Sequence, residues 1–190
     1  MHAMSTARGS TSEDAASART PRTPRTNGRV LAVCLGPGGI PKIEVEVARV
    51  DEDGLAGDRH RFRYHGGKRR AVCLFSTDDY ASLRADGVAA EKPGTFGENV
   101  LIDGLDFEAM RPGDQVELGD VVVLEIHDVR GPCSTLRTVD RRFPNLMLGR
   151  SGYVCRVVRG GELRAGMEAR WRASQTEGRD EAPARRSPKQ

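Results

Sequence analysis

Between residues 30 and 159 the chain carries seven short apolar or alternating runs, at 30–35, 43–50, 71–75, 99–102, 115–118, 121–126 and 153–159. None exceeds eight residues, and glycine-rich segments separate them. Runs this short, with this punctuation, exclude a helical bundle and read as strands. The clearest is 43–50, where Ile43, Val45 and Val47 alternate with Glu44 and Glu46, which predicts a half-buried strand with the aliphatic residues inward. GPGG at 36–39 ends the first run, and Gly113-Asp114 and Gly119-Asp120 mark later turns. Residues 77–85 read as a helix with Thr77 as cap and Asp78 and Asp79 in its first turn, which suits the helix dipole. A second, weaker helix is expected at 139–150, interrupted by Pro144. Many short strands and few short helices predict a mainly β fold, a closed or nearly closed β-barrel.

Composition sets the limits of that barrel. Residues 1–28 are almost entirely Ser, Thr, Ala, Arg, Pro, Gly and Asn, and 173–190 have the same character. Such segments bury too little apolar surface to offset ordering entropy, so both are expected as disordered tails around one domain at 29–172. Met1 and Met4 are both possible starts. Charge is unevenly placed. Residues 1–29 hold five arginines against two acids, 173–190 hold four bases against three acids, and the 143 residues between hold 21 bases and 22 acids. A nucleic-acid binder carries its basic stripe and stacking aromatics on the folded face, so this distribution argues against nucleic acid as a partner. No apolar run reaches the length of a membrane span, and residues 1–29 lack a signal-peptide core, so a cytoplasmic protein without a membrane partner is expected. Cys34, Cys73, Cys133 and Cys155 form no CxxC pair, and thiols in that compartment stay reduced.

Three segments could carry chemistry. The loop at 54–70, GLAGDRHRFRYHGGKRR, is too polar for core and long for a compact domain. It holds Asp58, His60, His65 and six cations, and Gly66-Gly67 can bring backbone N–H groups to an anion. It reads either as an anion pocket or as a solvated basic loop. Arg130-Gly-Pro-Cys133 follows the strongest strand, and a thiol in such a turn beside an arginine is suited to nucleophilic or metal-ligating use. Cys34, Cys73 and Cys155 lie in apolar runs and are expected as small core residues. The third segment is 93–99, PGTFGEN, where Phe96 could pack a barrel end or stack on a planar ring. Taken alone it is a turn. A zinc site from Asp58, His60, His65 and His127 lacks a supporting thiolate pair, and its spacing is common by chance.

The ordered series GLAGDRH…HGGKRRAV (54–72), PGTFGENVLIDGL (93–105), RPGDQVELGDVVVLEI (111–126), RGPC (130–133) and RVVRGGELRAGM (156–167) resembles the MOSC domain, named for the C-terminal domain of molybdenum-cofactor sulfurases. The resemblance spans about residues 29–172 and is that of a stand-alone bacterial member. It implies a barrel of the pyruvate-kinase-barrel-like type. It implies that Cys133 ligates molybdenum of a pterin (molybdopterin) cofactor in an oxidoreductase that reduces N-hydroxylated small molecules, with electrons from a separate reductase. Asp58 and His65 would then join Cys133 as catalytic residues, and Gly66, Gly67, Arg70, Arg130, Phe96, Glu98 and Asn99 would bind the cofactor. The resemblance equally implies a sulfurtransferase or sulfur carrier, with a persulfide on Cys133 loaded by a cysteine desulfurase and no bound cofactor. A third reading is a non-catalytic cofactor carrier. The stretch from Cys133 to residue 153 is short beside longer members, which implies a reduced substrate funnel.

Overall fold

The computed structural model describes residues 23–62, 65–131 and 133–175. Eleven strands run in chain order as β1 (Asn27–Leu35), β2 (Ile43–Val45), β3 (Val47–Asp51), β4 (Gly54–Leu55), β5 (Val72–Ser76), β6 (Val100–Asp103), β7 (Gln115–Leu118), β8 (Val122–Val129), β9 (Tyr153–Arg159), β10 (Gly161–Arg164) and β11 (Glu168–Arg172), with one helix, α1 (Thr77–Ala85). The order β11-β7-β8-β9-β5-β6-β1, with β1 returning to β11, closes a seven-stranded barrel. Its pairings are antiparallel except β5–β6. That parallel step needs a crossover, which α1 and the segment after it supply. β2 extends β1 outside the ring, and β10, β3 and β4 form a small separate sheet.

Side chains on successive residues of a strand face opposite ways, and this divides the core in two. Val30, Val33, Val72, Leu74, Val100, Ile102, Leu118, Leu124, Tyr153 and Trp171 belong to the cluster that fills the barrel. Ala32, Cys34, Phe75 and Leu101 face outward and pack with Tyr80 and Leu83 of α1, Phe96, Phe143 and Met147. The crossover is thus held by an aromatic cluster on the barrel wall, in which Phe96 lies 4.7 Å from Tyr80 and 5.3 Å from Phe75 between ring centres.

Several expectations change. The 43–50 run breaks at Glu46 into β2 and β3, which pair with different partners. The break reverses the buried face: Ala48 and Val50 are buried, while Ile43 is 61% exposed and Val47 is also exposed. Helix α1 begins where expected, but its cap is Ser76, whose Oγ accepts from Asp79 N at 3.0 Å. The 139–150 helix does not form: that stretch holds turns and a 3-10 turn at Asn145–Met147. Order begins before residue 29, because Arg25 O accepts from Asp106 N and Thr26 O from Trp171 N, so backbone pairing does here what apolar content could not. Outside 23–28 and 173–175, the expected tails lie beyond the described residues. Among the described residues no helix is long and apolar enough to cross a membrane.

Candidate active site

One end of the barrel is built on a buried carboxylate. Asp58, its side chain 3% exposed, accepts at Oδ1 from Gly36 N (2.6 Å) and at Oδ2 from Lys42 Nζ (2.7 Å) and Asn99 Nδ2 (2.8 Å). Lys42 is itself 7% exposed, so this is an ion pair removed from water with every partner placed. Asn99 supplies the remaining joints. Its Oδ1 accepts from Cys73 N, its Nδ2 also reaches Cys34 O, and its backbone bonds to both strands. β1 and β5 are thereby fixed together where β6 begins. Gly94 closes the frame: with φ +83° it accepts from Lys42 N, and a Cβ there would stand 2.2 Å from Lys42 O.

Above this frame is a cavity of about 430 Å³. The turn after β8 gives its wall Arg130 and Cys133, the 54–70 loop gives Arg59, His60, His65 and Arg70, and Lys42, Cys73 and Asn99 form its base. Cys133 caps the 3-10 turn Ser134–Thr138 in extended conformation, and its thiol donates to Thr135 Oγ1 at 3.2 Å. His65 Nε2 is 3.9 Å from the same sulfur. The Phe62 ring meets His65 edge-on at 5.2 Å and carries the Arg61 guanidinium 5.4 Å from its centre. Burial lowers the pKa of His65, and Arg70, Arg130 and His60 lower it further. His60 is also lowered, chiefly by burial, with Asp58 opposing and Lys42 and Arg70 adding to the shift. Both imidazoles are thus biased towards the neutral form.

Two of the arginines that line this cavity have spare donors. Arg130 Nη2 donates to Phe96 O at 2.5 Å, but Arg130 Nη1 and Arg70 Nε are buried and have no hydrogen-bond partner in the protein. Buried guanidinium N–H groups left unpaired are costly, and both side chains line the cavity, where an anion would offset their charge.

The sequence profile of the MOSC domain matches residues 61–170, more than half of the chain. This chain belongs to the MOSC family. The MOSC fold also relates it to solved structures: YuaD from Bacillus subtilis (19% identity, TM-score 0.64, covering 78% of this chain and 97% of that one) and YiiM from Geobacillus stearothermophilus (20% identity, TM-score 0.66, covering 80% and 78%). A protein of Gibberella moniliformis named "Reductase" is 32% identical over 120 residues, 58% of this chain. The MOSC chain spans about one fifth of that relative's length, 21%.

Of the site residues expected in this MOSC protein, the cavity gathers Cys133, His65, Arg70, Arg130 and Asn99. Asp58 lies beneath the lining and touches its supports. Phe96 is fully buried in the aromatic cluster and packs the barrel wall, with only its carbonyl turned to Arg130. Glu98 is fully buried next to the Phe96–Gly97 backbone that Arg130 touches, and its Oε1 accepts from Tyr80 Oη (2.5 Å) and Gly94 N (2.6 Å). Gly66 flanks the site as the surface on which the His60 ring rests, since a Cβ would be 2.6 Å from that ring, and Gly67 precedes the 3-10 turn Lys68–Arg70. Cys34 and Cys155 are core residues as expected, and burial raises both thiols, Cys34 to about 12. Cys73 is not: it is half-buried and lines the cavity, because its strand turns that face towards the opening. Lys42 and Thr135 entered the site without a sequence signal, the Lys42 side chain sitting in an ordinary-looking loop, whereas His60 was among the polar residues of the 54–70 loop. His127 is exposed on β8 and does not line the cavity.

Proposed function

We propose that this MOSC chain binds the molybdenum cofactor in its cavity, with Cys133 as metal ligand, and removes oxygen from N-hydroxylated small molecules. The observation that carries this reading is the convergence of Arg70 and Arg130, each with a buried N–H that has no protein partner, on the lining of a cavity that also presents the Cys133 thiol. A phosphate-bearing group with a thiophilic metal needs both features. The volume of about 430 Å³ lies within the range of small-molecule and cofactor sites. The relative named "Reductase" supports the same reaction class.

The residues have distinct parts in this reading. Arg70 and Arg130 bind the phosphate, and Lys42 and Asn99 shape the base through Asp58. As a metal ligand Cys133 would be needed as the thiolate, and neutral His65, with Nε2 3.9 Å from its sulfur, is placed to accept the proton. Reprotonated from solvent in each turnover, His65 would deliver one of the two protons that release of the substrate oxygen as water consumes, and solvent would supply the other. The bound cofactor supplies the two-electron redox chemistry, with electrons from a separate reductase.

The test is elemental analysis of protein from a cofactor-competent host, wild type beside Cys133→Ala, followed by assay of N-hydroxylated substrates with an artificial electron donor. Near-stoichiometric molybdenum in the wild type and its loss in the variant are expected. No molybdenum in either, with cyanide-labile sulfur on Cys133, would replace this reading with sulfur transfer. Molybdenum without turnover would leave a cofactor carrier.

A further inference from the structure

Glu98 is a buried acid that the reaction above does not use. Its Oε1 is satisfied by Tyr80 and Gly94, yet its Oε2 is buried without a hydrogen-bond partner. Arg130 Nη1 is buried and unpartnered too, and Gly97, next to Glu98, comes within 3.6 Å of Arg130 Nη2 at the position of a Cβ. An acceptor and a donor are therefore both unmatched across the Phe96–Glu98 segment. Two other titratable side chains interact with Glu98, and both are held neutral. Tyr80 from α1 has its hydroxyl pushed up by burial and by Glu98 itself, and Cys34 from β1 has its thiol pushed up to about 12. Arg130, from the turn after β8, is the cation that acts on Glu98, opposing the upward shift that burial imposes.

Resting on the anion-site reading, we propose that Glu98 is the counter-ion of Arg130 in the anion-free protein, and that an anion engaging Arg130 displaces that role and drives a proton onto Glu98. The argument is electrostatic. A carboxylate shut in an apolar cluster keeps its charge only while a nearby cation supports it. An anion on the cavity side of Arg130 spends the same guanidinium charge, so the carboxylate protonates. Anion binding and protonation then favour each other reciprocally. Glu98 is a positioning residue here: it sets the charge state behind Arg130 and touches nothing in the cavity. The consequence for this enzyme class is a site that holds its phosphate-bearing ligand more tightly as pH falls, by a route separate from its histidines.

Sulfate is a suitable probe, since it does not titrate between pH 5 and 8. Calorimetric binding of sulfate to the full chain is measured across that range for wild type and Glu98→Gln. Glu98→Gln keeps the Tyr80 and Gly94 bonds at its carbonyl oxygen and cannot ionise. The variant is expected to match wild type near pH 5 and to bind about tenfold more tightly near pH 8, the change that a one-unit shift of Glu98 on binding implies. A merely structural role would weaken binding at both ends alike, and that outcome, or parallel pH profiles, overturns the proposal. Infrared difference spectra of the wild type give a second readout if the variant does not fold. A protonated-carboxyl band that grows on adding sulfate supports Glu98 as the acceptor, which no histidine can mimic, and no growth overturns it. Failure of the wild type to bind sulfate at any pH overturns the anion site itself and this proposal with it; binding without proton linkage removes only the role of Glu98.

Discussion

Asn99 Nδ2 donates to Asp58 Oδ2 at 2.8 Å, so two residues 41 positions apart fix the loop of one strand connection to the start of another. Lys42 Nζ shares that carboxylate oxygen at 2.7 Å, and the cavity floor is therefore one connected polar unit. Its geometry sets where Cys73 and the His60 side of the wall stand.

Removing Asp58 should accordingly act on stability first. Asp58→Ala leaves Lys42 as a buried, unpaired charge, with an expected loss of about 3–5 kcal/mol. Asp58→Asn, which keeps one acceptor, should lose less. Urea unfolding of both variants measures this, and an unchanged midpoint in Asp58→Ala would show that Lys42 escapes to water.

The four thiols should separate by location. Cys133→Ser is expected to abolish metal content and activity while leaving the unfolding midpoint within about 0.5 kcal/mol, as usual for substitutions outside the core. Cys34→Ser and Cys155→Ser bury a hydroxyl and should cost about 1–3 kcal/mol. Cys73→Ser should cost less than either, since its side chain meets the cavity. Thermal and urea denaturation beside metal analysis tests all four.

Arg70 and Arg130 should each matter to anion affinity. Replacing Arg70 by Gln removes a charge-assisted hydrogen bond and should weaken sulfate binding at least about tenfold. Arg70→Lys should restore part of this, because an ammonium keeps the charge but not the planar donor set. Equal binding by all three proteins would place the anion elsewhere.

The histidines give a defined pH dependence. Burial, with Arg70 beside both, lowers the pKa of His60 and His65 in the fold, while the unfolded chain protonates near the ordinary value of about 6.5. The unfolded state then binds more protons below that pH, so stability contributed by the neutral imidazoles is full above it and falls as pH drops. His60→Asn/His65→Asn should lose less stability than wild type between pH 7.5 and 5.5. An identical loss in the two proteins, measured by urea midpoints, would rule these imidazoles out as its source. In the same variant pair, His65→Asn alone should slow alkylation of Cys133 near neutral pH, as expected if the imidazole at 3.9 Å takes the thiol proton.

Much of the barrel was legible because its strands and turns obey local rules. β5, β7 and β8 appear as apolar runs, and Gly119-Asp120 makes the turn between β7 and β8. β11 escaped notice because Glu168, Arg170 and Arg172 mask the inward pair Ala169 and Trp171, and its burial depends on β1 and β7, which no local window contains. The split of 43–50 was hidden for the same reason: the alternation is real, but the choice of face follows from two different partner strands. At the site, Cys133 stood out because a thiol in a Gly-Pro turn is poorly placed for packing. Phe96 and Glu98 share a segment with Asn99, yet only Asn99 reaches the cavity. Which residues of a glycine-flanked turn point inward is decided by the aromatic cluster around Tyr80, a contact between distant parts of the chain.

The ring closes where β1 meets β11, with Asn27 opposite Arg170 and Arg29 opposite Glu168. During translation the first strand can pair with β2 and β6 early, but its residues 27–29 must wait until 168–170 have left the ribosome before β11 covers them. Until then its edge is open, and exposed edges of this kind recruit other chains. The growing protein is thus most vulnerable to aggregation late in synthesis, and a nascent chain stopped before residue 168 should remain protease-sensitive however much of the cavity sequence it already contains.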